Sequence, residues 1–175
     1  MLVWRRDYVT HPRNPSAIVR RKIANEEELE THLRRENPNM HFRGVQLDQL
    51  PFSAQLKLAA DSDVIIGMHG AGLTHAMFSP LGSALIELMP GYDTATNWHF
   101  RSIARWRNLV YENWIADQLS DNASNAYRTT VSPEAVNKLL RRAVGRMCRT
   151  NISGKRSKFD KALLTSSHVR KTNEQ

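Results

Sequence analysis

The sequence lacks the features that mark membrane, disulfide-rich or metal-cluster proteins. It contains no apolar run of about 18 or more residues, so it encodes no membrane-spanning helix. Its first residues, MLVWRR, lack the apolar core of a signal peptide. A single cysteine, Cys148, cannot form an internal disulfide. The seven histidines show no His-x-x-x-His spacing and there is no Cys-x-x-Cys, so no zinc site is expected.

The charge, by contrast, is strongly positive but unevenly spread. The 175 residues carry a net charge of +8, which suits an acidic partner such as a phosphate. Residues 150–175 hold six Lys or Arg residues against two acidic ones, which is half of that net charge. Because this segment has few large apolar residues and no clear period, it predicts a disordered basic tail after a domain at residues 1–149. Specific nucleic-acid binding is not expected.

Apolar segments alternate between strand-like and helix-like patterns along the chain. Predicted strands cover Leu2–Trp4, Phe42–Leu47, Val64–Gly67, Ala84–Met89 and Leu109–Trp114; predicted helices cover Glu26–Arg35, Phe52–Ala60, Gly72–Phe78 and Asn97–Trp106, and a last one begins at Ser132-Pro133-Glu134 after a polar loop over Ala116–Thr130. Asn25 and Glu28 fit a capping box at the start of the first helix. The alternation predicts an α/β fold with a doubly wound parallel sheet.

The stretch DVIIGMHGAGLTH, from Asp63 to His75, joins a short apolar strand to a glycine-rich turn and a helix start. Turns of this kind present main-chain N–H groups to phosphates in parallel α/β sheets. Gly70 and Gly72 can take positive φ and carry no Cβ, so an anion can approach the backbone. The spacing G-x-x-G-x-G matches neither the dinucleotide fingerprint nor a P-loop. A turn whose glycines serve packing alone stays an alternative.

Three short segments of the sequence indicate a family more specifically than the glycine spacing does. The segments MHGAGLTH, then FSPLG from Phe78 and LIELM from Leu85, closely resemble the C-terminal half of glycosyltransferase family 61. That family includes EGF-domain-specific O-linked N-acetylglucosamine transferases, protein O-mannose N-acetylglucosaminyltransferases, and plant xylosyl- and arabinosyltransferases. The resemblance covers about Leu2 to Met147. It implies a Rossmann-like lobe of a GT-B type enzyme, namely the donor-binding lobe.

The function that the resemblance implies is a transfer of N-acetylglucosamine or xylose from a UDP-sugar to a protein or glycan hydroxyl. The residues it assigns to the nucleotide sugar are Arg6, Arg21, His69, Gly70, Ala71, Gly72, Leu73, Thr74 and Glu87. It implies a metal-independent reaction with inversion at the sugar carbon, and the sequence shows no Asp-x-Asp motif. The N-terminal lobe, where the catalytic base is expected, is absent here. The chain by itself is therefore expected to be inactive, and its catalytic residues stay unassigned.

Several of these residues also fit purely structural roles. Glu87, the sole charge in an apolar strand, suits a ribose hydroxyl or a structural ion pair with an arginine, since a buried carboxylate needs a partner. His69 can bind the sugar or phosphate, or can simply order the turn. Arg6 and Arg21 would be read as surface charges without the resemblance.

Two functional hypotheses of different classes remain at this point. One is the donor-binding lobe of a glycosyltransferase; the other is a non-catalytic nucleotide-sugar or phosphate-binding module whose basic tail contacts an acidic partner. The acceptor sequences at Asn122-Ala-Ser124 and Asn151-Ile-Ser153 weakly favour a secretory location. The resemblance implies the endoplasmic reticulum or Golgi lumen for a full-length parent, although this chain shows no signal of its own.

Overall fold

The computed structural model describes residues 1–8, 16–91, 98–116 and 128–152 of the chain, with side chains described as far as residue 148. Its strands are β1 (Leu2–Val3), β2 (Lys22–Ile23), β3 (Gly44–Val45), β4 (Val64–Met68), β5 (Ala84–Met89), β6 (Val110–Ile115) and β7 (Arg128–Thr129). Its α-helices are α1 (Glu26–Glu36), α2 (Phe52–Ala60), α3 (His99–Trp106) and α4 (Pro133–Ile152), and 3₁₀ helices cover Leu47–Gln49 and Ala71–Phe78.

Five strands form one parallel sheet in the order β3-β1-β4-β5-β6. The chain runs from β1 outward to β3 and then crosses to β4 on the other side of β1. The strand order therefore reverses between β1 and β4, which is the switch point where parallel α/β sheets bind ligands. β2 and β7 form a separate parallel pair.

Two apolar layers cover the two faces of the large sheet. One joins it to α1 and α4 through buried residues that include Leu29, Leu33, Ile86 and Leu140. The other joins it to α2, α3 and the Ala71–Phe78 helix through residues that include Ala59, Leu73, Leu85 and Phe100. The parallel sheet is thus buried on both faces, which explains why β4 and β5 read as continuous apolar runs. The predicted α/β, Rossmann-like fold is confirmed.

The predicted elements and the observed ones agree closely where the apolar pattern is strong. The strand Ala84–Met89 and the helix Phe52–Ala60 have the predicted bounds. The pair β2 and β7 is absent from the prediction, and β7 lies within the predicted loop Ala116–Thr130. Each of these strands has two residues, which is too short to show a period.

Asn25 precedes α1 as predicted, but its side chain does not cap the helix. Its Nδ2 donates to the Val131 carbonyl at 2.9 Å, and its Oδ1 accepts from the Val131 N–H at 2.9 Å. Nδ2 also donates to Glu28 Oε2 at 3.0 Å. The capping-box prediction is therefore wrong in its bonding, because Asn25 ties the start of α1 to the segment before α4.

The boundary predicted after residue 149 falls inside α4, whose backbone is helical to Ile152. The rest of the predicted basic tail lies outside the described residues. Asn122-Ala-Ser124 and the Asn151 side chain do so as well.

Candidate donor site

The candidate site lies at the carboxyl ends of β1 and β4. His69 follows β4 directly, and its N–H donates to the Leu88 carbonyl at 2.7 Å. The 3₁₀ helix then starts at Ala71, and the N–H of Leu73 donates to the Gly70 carbonyl at 2.9 Å. The first N–H groups of a helix have no carbonyl of a preceding turn to bind. The N–H groups of Ala71 and Gly72 thus precede the first hydrogen bond of this helix, and they lie at the switch-point edge of the sheet.

Arg5 is the cation next to this turn. A Cβ placed on Gly70 would lie 1.9 Å from Arg5 Nη1 and 2.6 Å from its Cζ. Arg5 Nε donates to the Arg20 carbonyl at 3.1 Å, which fixes the direction of the guanidinium. The structure therefore brings a guanidinium and a row of backbone donors together, and both groups stabilise negative charge.

The glycines of the turn matter for their lack of a side chain and not for a left-handed backbone conformation. Gly70 has φ 165°, an extended conformation that any residue adopts. Among the described glycines, the one in the left-handed region is Gly82, at φ 80°. Gly70 and Gly72 therefore do not use the left-handed conformation that glycine allows. What these positions need is space, since a Cβ on Gly72 would lie 3.0 Å from Val3 Cγ1 and a Cβ on Gly70 would meet Arg5.

Arg6 points away from the turn and pairs with α1. Its Nη2 and Nε donate to Glu26 Oε2 at 2.8 and 3.0 Å. Side chains alternate along an extended segment, so Arg6 follows the direction of Trp4, which packs in the layer of α1 and α4. Arg5 follows the direction of Val3, toward the layer of the turn. The structure thus places Arg5, and not Arg6, beside the predicted phosphate site.

Arg21 is held in a left-handed backbone conformation, at φ 60°, directly before β2. This conformation is uncommon for a residue with a side chain and is typical of constrained positions. Its neighbour Arg20 supplies the carbonyl that Arg5 binds. This segment thus contacts Arg5, the arginine beside the turn, through the Arg20 carbonyl.

His69 and Glu87 meet as a buried pair beneath the turn. His69 Nδ1 contacts Glu87 Oε1, and the His69 ring lies edge-on to Phe100 with ring centroids 5.0 Å apart. The Tyr111 hydroxyl donates to Glu87 Oε2 at 2.6 Å. Glu87 is fully buried, and each of its carboxylate oxygens has a protein partner. The geometry supports a role in orienting His69, and the partners of Glu87 are a histidine and a tyrosine in place of the arginine that the structural alternative named.

Burial and the Glu87 hydrogen bond also act on Tyr111. Burial is the larger cause, and together the two effects raise the pKa of the Tyr111 phenol well above its ordinary value. The phenol therefore stays protonated and keeps donating to Glu87 over the whole neutral range.

The remaining predicted residues of the turn divide between core and surface. Leu73 is fully buried, and its side chain packs in the layer of α2 and α3. Thr74 is exposed, and its hydroxyl donates to the Ala71 carbonyl. The buried Leu73 side chain therefore anchors the glycine-rich turn, while Thr74 lies on the exposed side of the 3₁₀ helix that follows it.

Asp48 is a residue of the site that sequence reasoning missed, as it missed Arg5 and Tyr111. It lines a small cleft of about 50 Å³ together with Arg5 and Gly72. Its signal was its position three residues after β3, at the same sheet edge as the turn. For Arg5, the alternation of side chains along the first strand was the one available signal. For Tyr111 the sequence held no signal, because only the register that sets β6 beside β5 brings it near Glu87.

A parallel α/β lobe with a cation and backbone N–H groups at its switch point has features that phosphate-binding domains share. The family model for glycosyltransferase 61 matches residues 3–86, which is nearly half of the chain. These residues include Val3 of β1, the glycine-rich turn and the first half of β5.

Proteins similar to this chain are named glycosyltransferases. An EGF domain-specific O-linked N-acetylglucosamine transferase of Drosophila melanogaster is 36% identical over 94 residues, which is 54% of this chain and 17% of that protein. The Gallus gallus protein of the same name is 36% identical over 95 residues, again 54% of this chain and 17% of its own length. A beta-1,2-xylosyltransferase of Oryza sativa subsp. japonica is 28% identical over 115 residues, covering 63% of this chain and 21% of that protein.

These matches confirm the predicted resemblance: residues 3–86 match the glycosyltransferase 61 family model, and the similar proteins are named glycosyltransferases. The chain spans about a fifth of the length of the relatives it matches. In the part of the chain that the structure describes, no helix is long and apolar enough to cross a membrane.

Proposed function

We propose that this chain supplies the nucleotide-sugar-binding lobe of a glycosyltransferase that moves N-acetylglucosamine or xylose from a uridine diphosphate donor to a protein or glycan hydroxyl. The observation that carries the proposal is the meeting of the Arg5 guanidinium with the Gly70–Gly72 backbone at the switch point of the sheet. The family of residues 3–86 supplies the reaction class.

The chemistry of the donor explains why such a site is useful. The diphosphate carries two negative charges in the bound donor and leaves with the nucleotide when the sugar is transferred. A fixed guanidinium and backbone N–H groups stabilise that charge as it develops, without any reorganisation during the reaction. Since Arg5 already supplies a positive charge there, we propose that donor binding needs no divalent metal. Donor affinity should then be the same with and without EDTA.

The buried pair of His69 and Glu87 has an indirect part in this function. Glu87 is hydrogen-bonded to the His69 ring, and His69 directly precedes Gly70 of the turn. We therefore propose that Glu87 positions the turn for the diphosphate and does not itself contact the ribose. The predicted ribose contact would require a hydroxyl of the ribose to reach a carboxylate that is fully buried beneath the turn.

The experiment that tests the donor site compares two adjacent arginines. Binding of UDP and of inorganic pyrophosphate is measured by titration calorimetry for the wild type, Arg5→Ala and Arg6→Ala. Loss of the Arg5 contact should weaken UDP by roughly 1.5–3 kcal/mol, which is about ten- to a hundredfold. Arg6→Ala is the matched control, since it removes the same charge one residue away but from the side that faces Glu26.

Three outcomes would contradict this assignment. A wild-type chain that does not bind UDP more tightly than pyrophosphate would remove the nucleotide site. Equal losses in the two variants would indicate a diffuse effect of charge, and a loss confined to Arg6→Ala would restore the role predicted from the sequence.

Transfer itself makes a further demand on the protein. The acceptor hydroxyl must be held in line with the sugar carbon, with a base within reach of its proton. The described residues form the donor side of such a reaction, so we expect the isolated chain to bind donor without glycosylating an acceptor protein. Transfer by purified residues 1–175 would show that they also hold the base. A luminal location for the full-length parent stays a prediction, which its glycosylation at Asn122 or Asn151 would support.

A further inference from the structure

A shallow groove of about 550 Å³ runs between α3 and the 3₁₀ helix Ala71–Phe78. Ala71 and Thr74 form part of one wall; Trp98, directly before α3, and Trp106, the last residue of α3, form part of the other. Ala71 therefore belongs both to this groove and to the turn that faces the diphosphate. The groove thus adjoins the candidate phosphate site at Ala71.

The two tryptophans lie at opposite ends of the groove. The carboxyl end of β5 lies beside that of β4, in a register that pairs Leu88 with Met68. α3 returns the chain from that edge to the start of β6, where the Val110 N–H donates to the Ser83 carbonyl at 2.9 Å. The beginning of α3, with Trp98, thus lies toward the glycine-rich turn. Its end, with Trp106, lies toward the opposite edge.

The neighbour of Trp106 confirms that this residue lies at the amino edge of the sheet. Arg107 Nη2 donates to the Ser79 carbonyl at 3.1 Å, at the far end of the 3₁₀ helix from the turn. Trp106 is 77% exposed and Trp98 is 57% exposed, so both indoles face solvent. They differ in their distance from the turn, which makes them a natural pair for comparison.

The Trp98 indole is in contact with a cation. Arg101 Cζ lies 4.6 Å from the centroid of its ring, which is the geometry of a cation–π contact. A flat aromatic surface with a guanidinium behind it is suited to stacking against a planar, polar ring. Ser102, on the next turn of α3 and also in the groove wall, offers a hydroxyl that can donate or accept.

We propose that the Trp98 end of this groove is the site of the nucleobase of the donor. The uracil ring stacks on the Trp98 indole, the ribose passes Ala71, and the diphosphate reaches the Gly70–Gly72 backbone and Arg5. This inference rests on the proposed donor function and adds a base site to it. Because Ala71 belongs to both the groove wall and the turn, a ligand with a base next to its phosphates fits better here than a protein segment.

The test uses ligands that separate the base from the phosphates. Affinities for UDP and for inorganic pyrophosphate are measured on the wild type, Trp98→Ala and Trp106→Ala, each first checked for folding by circular dichroism. Trp98→Ala should weaken UDP about five- to a hundredfold and leave pyrophosphate unchanged, since stacking on an aromatic side chain contributes to base binding alone. Trp106→Ala should bind both ligands as the wild type does.

Fluorescence gives a second reading of the same contact. A base stacked on Trp98 should quench tryptophan emission when UDP binds, pyrophosphate should leave emission unchanged, and the quenching should disappear in Trp98→Ala. The base site is wrong if Trp98→Ala binds UDP like the wild type, if it loses UDP and pyrophosphate equally, or if Trp106→Ala loses UDP as much.

The failure of this inference is distinguishable from the failure of the donor site. If Arg5→Ala weakens UDP while Trp98→Ala does not, the donor site stands and the groove has another occupant, such as a protein surface. If the wild type binds no UDP at all, both proposals fall together.

Discussion

Glu87 and Glu112 are buried carboxylates in neighbouring strands, yet they are held in different ways. Glu87 points to the face of α3 and bonds the side chains of His69 and Tyr111. Glu112 is 6% exposed, points to the face of α4 and pairs with Arg142 and with Arg146, whose Nη1 lies 2.9 Å from Oε1. The hydrogen bond to Glu112 raises the pKa of Arg142, so the arginine stays charged at any pH the fold tolerates.

The exposure of the partners separates the two sites. The Arg142 and Arg146 side chains are 54% and 47% exposed, so water can replace Glu112 when it is lost. His69 and Glu87 are 4% and 1% exposed, and bulk water does not reach either. Glu112 thus joins the sheet to α4 through ion pairs with arginines. This is the structural role that the sequence suggested for Glu87. Glu87 is part of the support of the candidate site.

The largest effect should come from Glu87→Ala. It leaves the buried polar groups of His69 and Tyr111 without their acceptor and opens a cavity, so we expect a loss of about 3–5 kcal/mol in the free energy of unfolding. Urea denaturation followed by circular dichroism measures this loss. A loss no larger than that of Glu112→Ala would remove the distinction between the two carboxylates.

The matched substitution, Glu112→Ala, should cost less. It removes two charge-assisted hydrogen bonds, but its arginines regain water, so we expect about 2 kcal/mol. Because α4 covers the opposite face of the sheet from the turn, the affinity for UDP should be that of the wild type. A UDP affinity lowered beyond about twofold in calorimetry would mean that the α4 face also shapes the donor site.

Tyr111→Phe tests the second bond to Glu87 and should cost about 1.5 kcal/mol near neutral pH. The folded state raises the pKa of the Tyr111 phenol, so the stabilisation is complete below the ordinary pKa of about 10 and is lost as pH rises from there toward the raised value. The difference in unfolding free energy between wild type and variant should therefore shrink above about pH 10. A difference that stays constant across that range would show that Tyr111 ionises equally in both states.

The smallest effect should come from Arg146→Ala, which leaves Arg142 on Glu112. We expect less than about 1 kcal/mol, because half-exposed ion pairs contribute little and are screened by salt. Moderate salt should reduce this difference further while leaving the cost of Glu87→Ala unchanged. Equal salt sensitivity of the two variants in urea denaturation would contradict the comparison.

Much of the fold was predictable from local pattern. β4 and β5 are continuous apolar runs between turn residues, and α2 lies between Pro51 and the turn at Asp61, so their bounds were predicted to within a residue. The glycine-rich turn and the resemblance to glycosyltransferase 61 were equally visible, because both depend on residues that are adjacent in the chain. β2 and β7 were not, because each pairs two residues across more than a hundred positions.

At the site itself, the sequence by itself determined where the turn lies, that a helix begins after it and which kinds of residue surround it. The tertiary structure decided that Arg5 faces Gly70 while Arg6 faces Glu26, because successive side chains in an extended segment point to opposite sides. It likewise decided that Glu87 meets His69 and Tyr111. Those partners lie 18 and 24 positions away, and only the register of three parallel strands brings them into one layer.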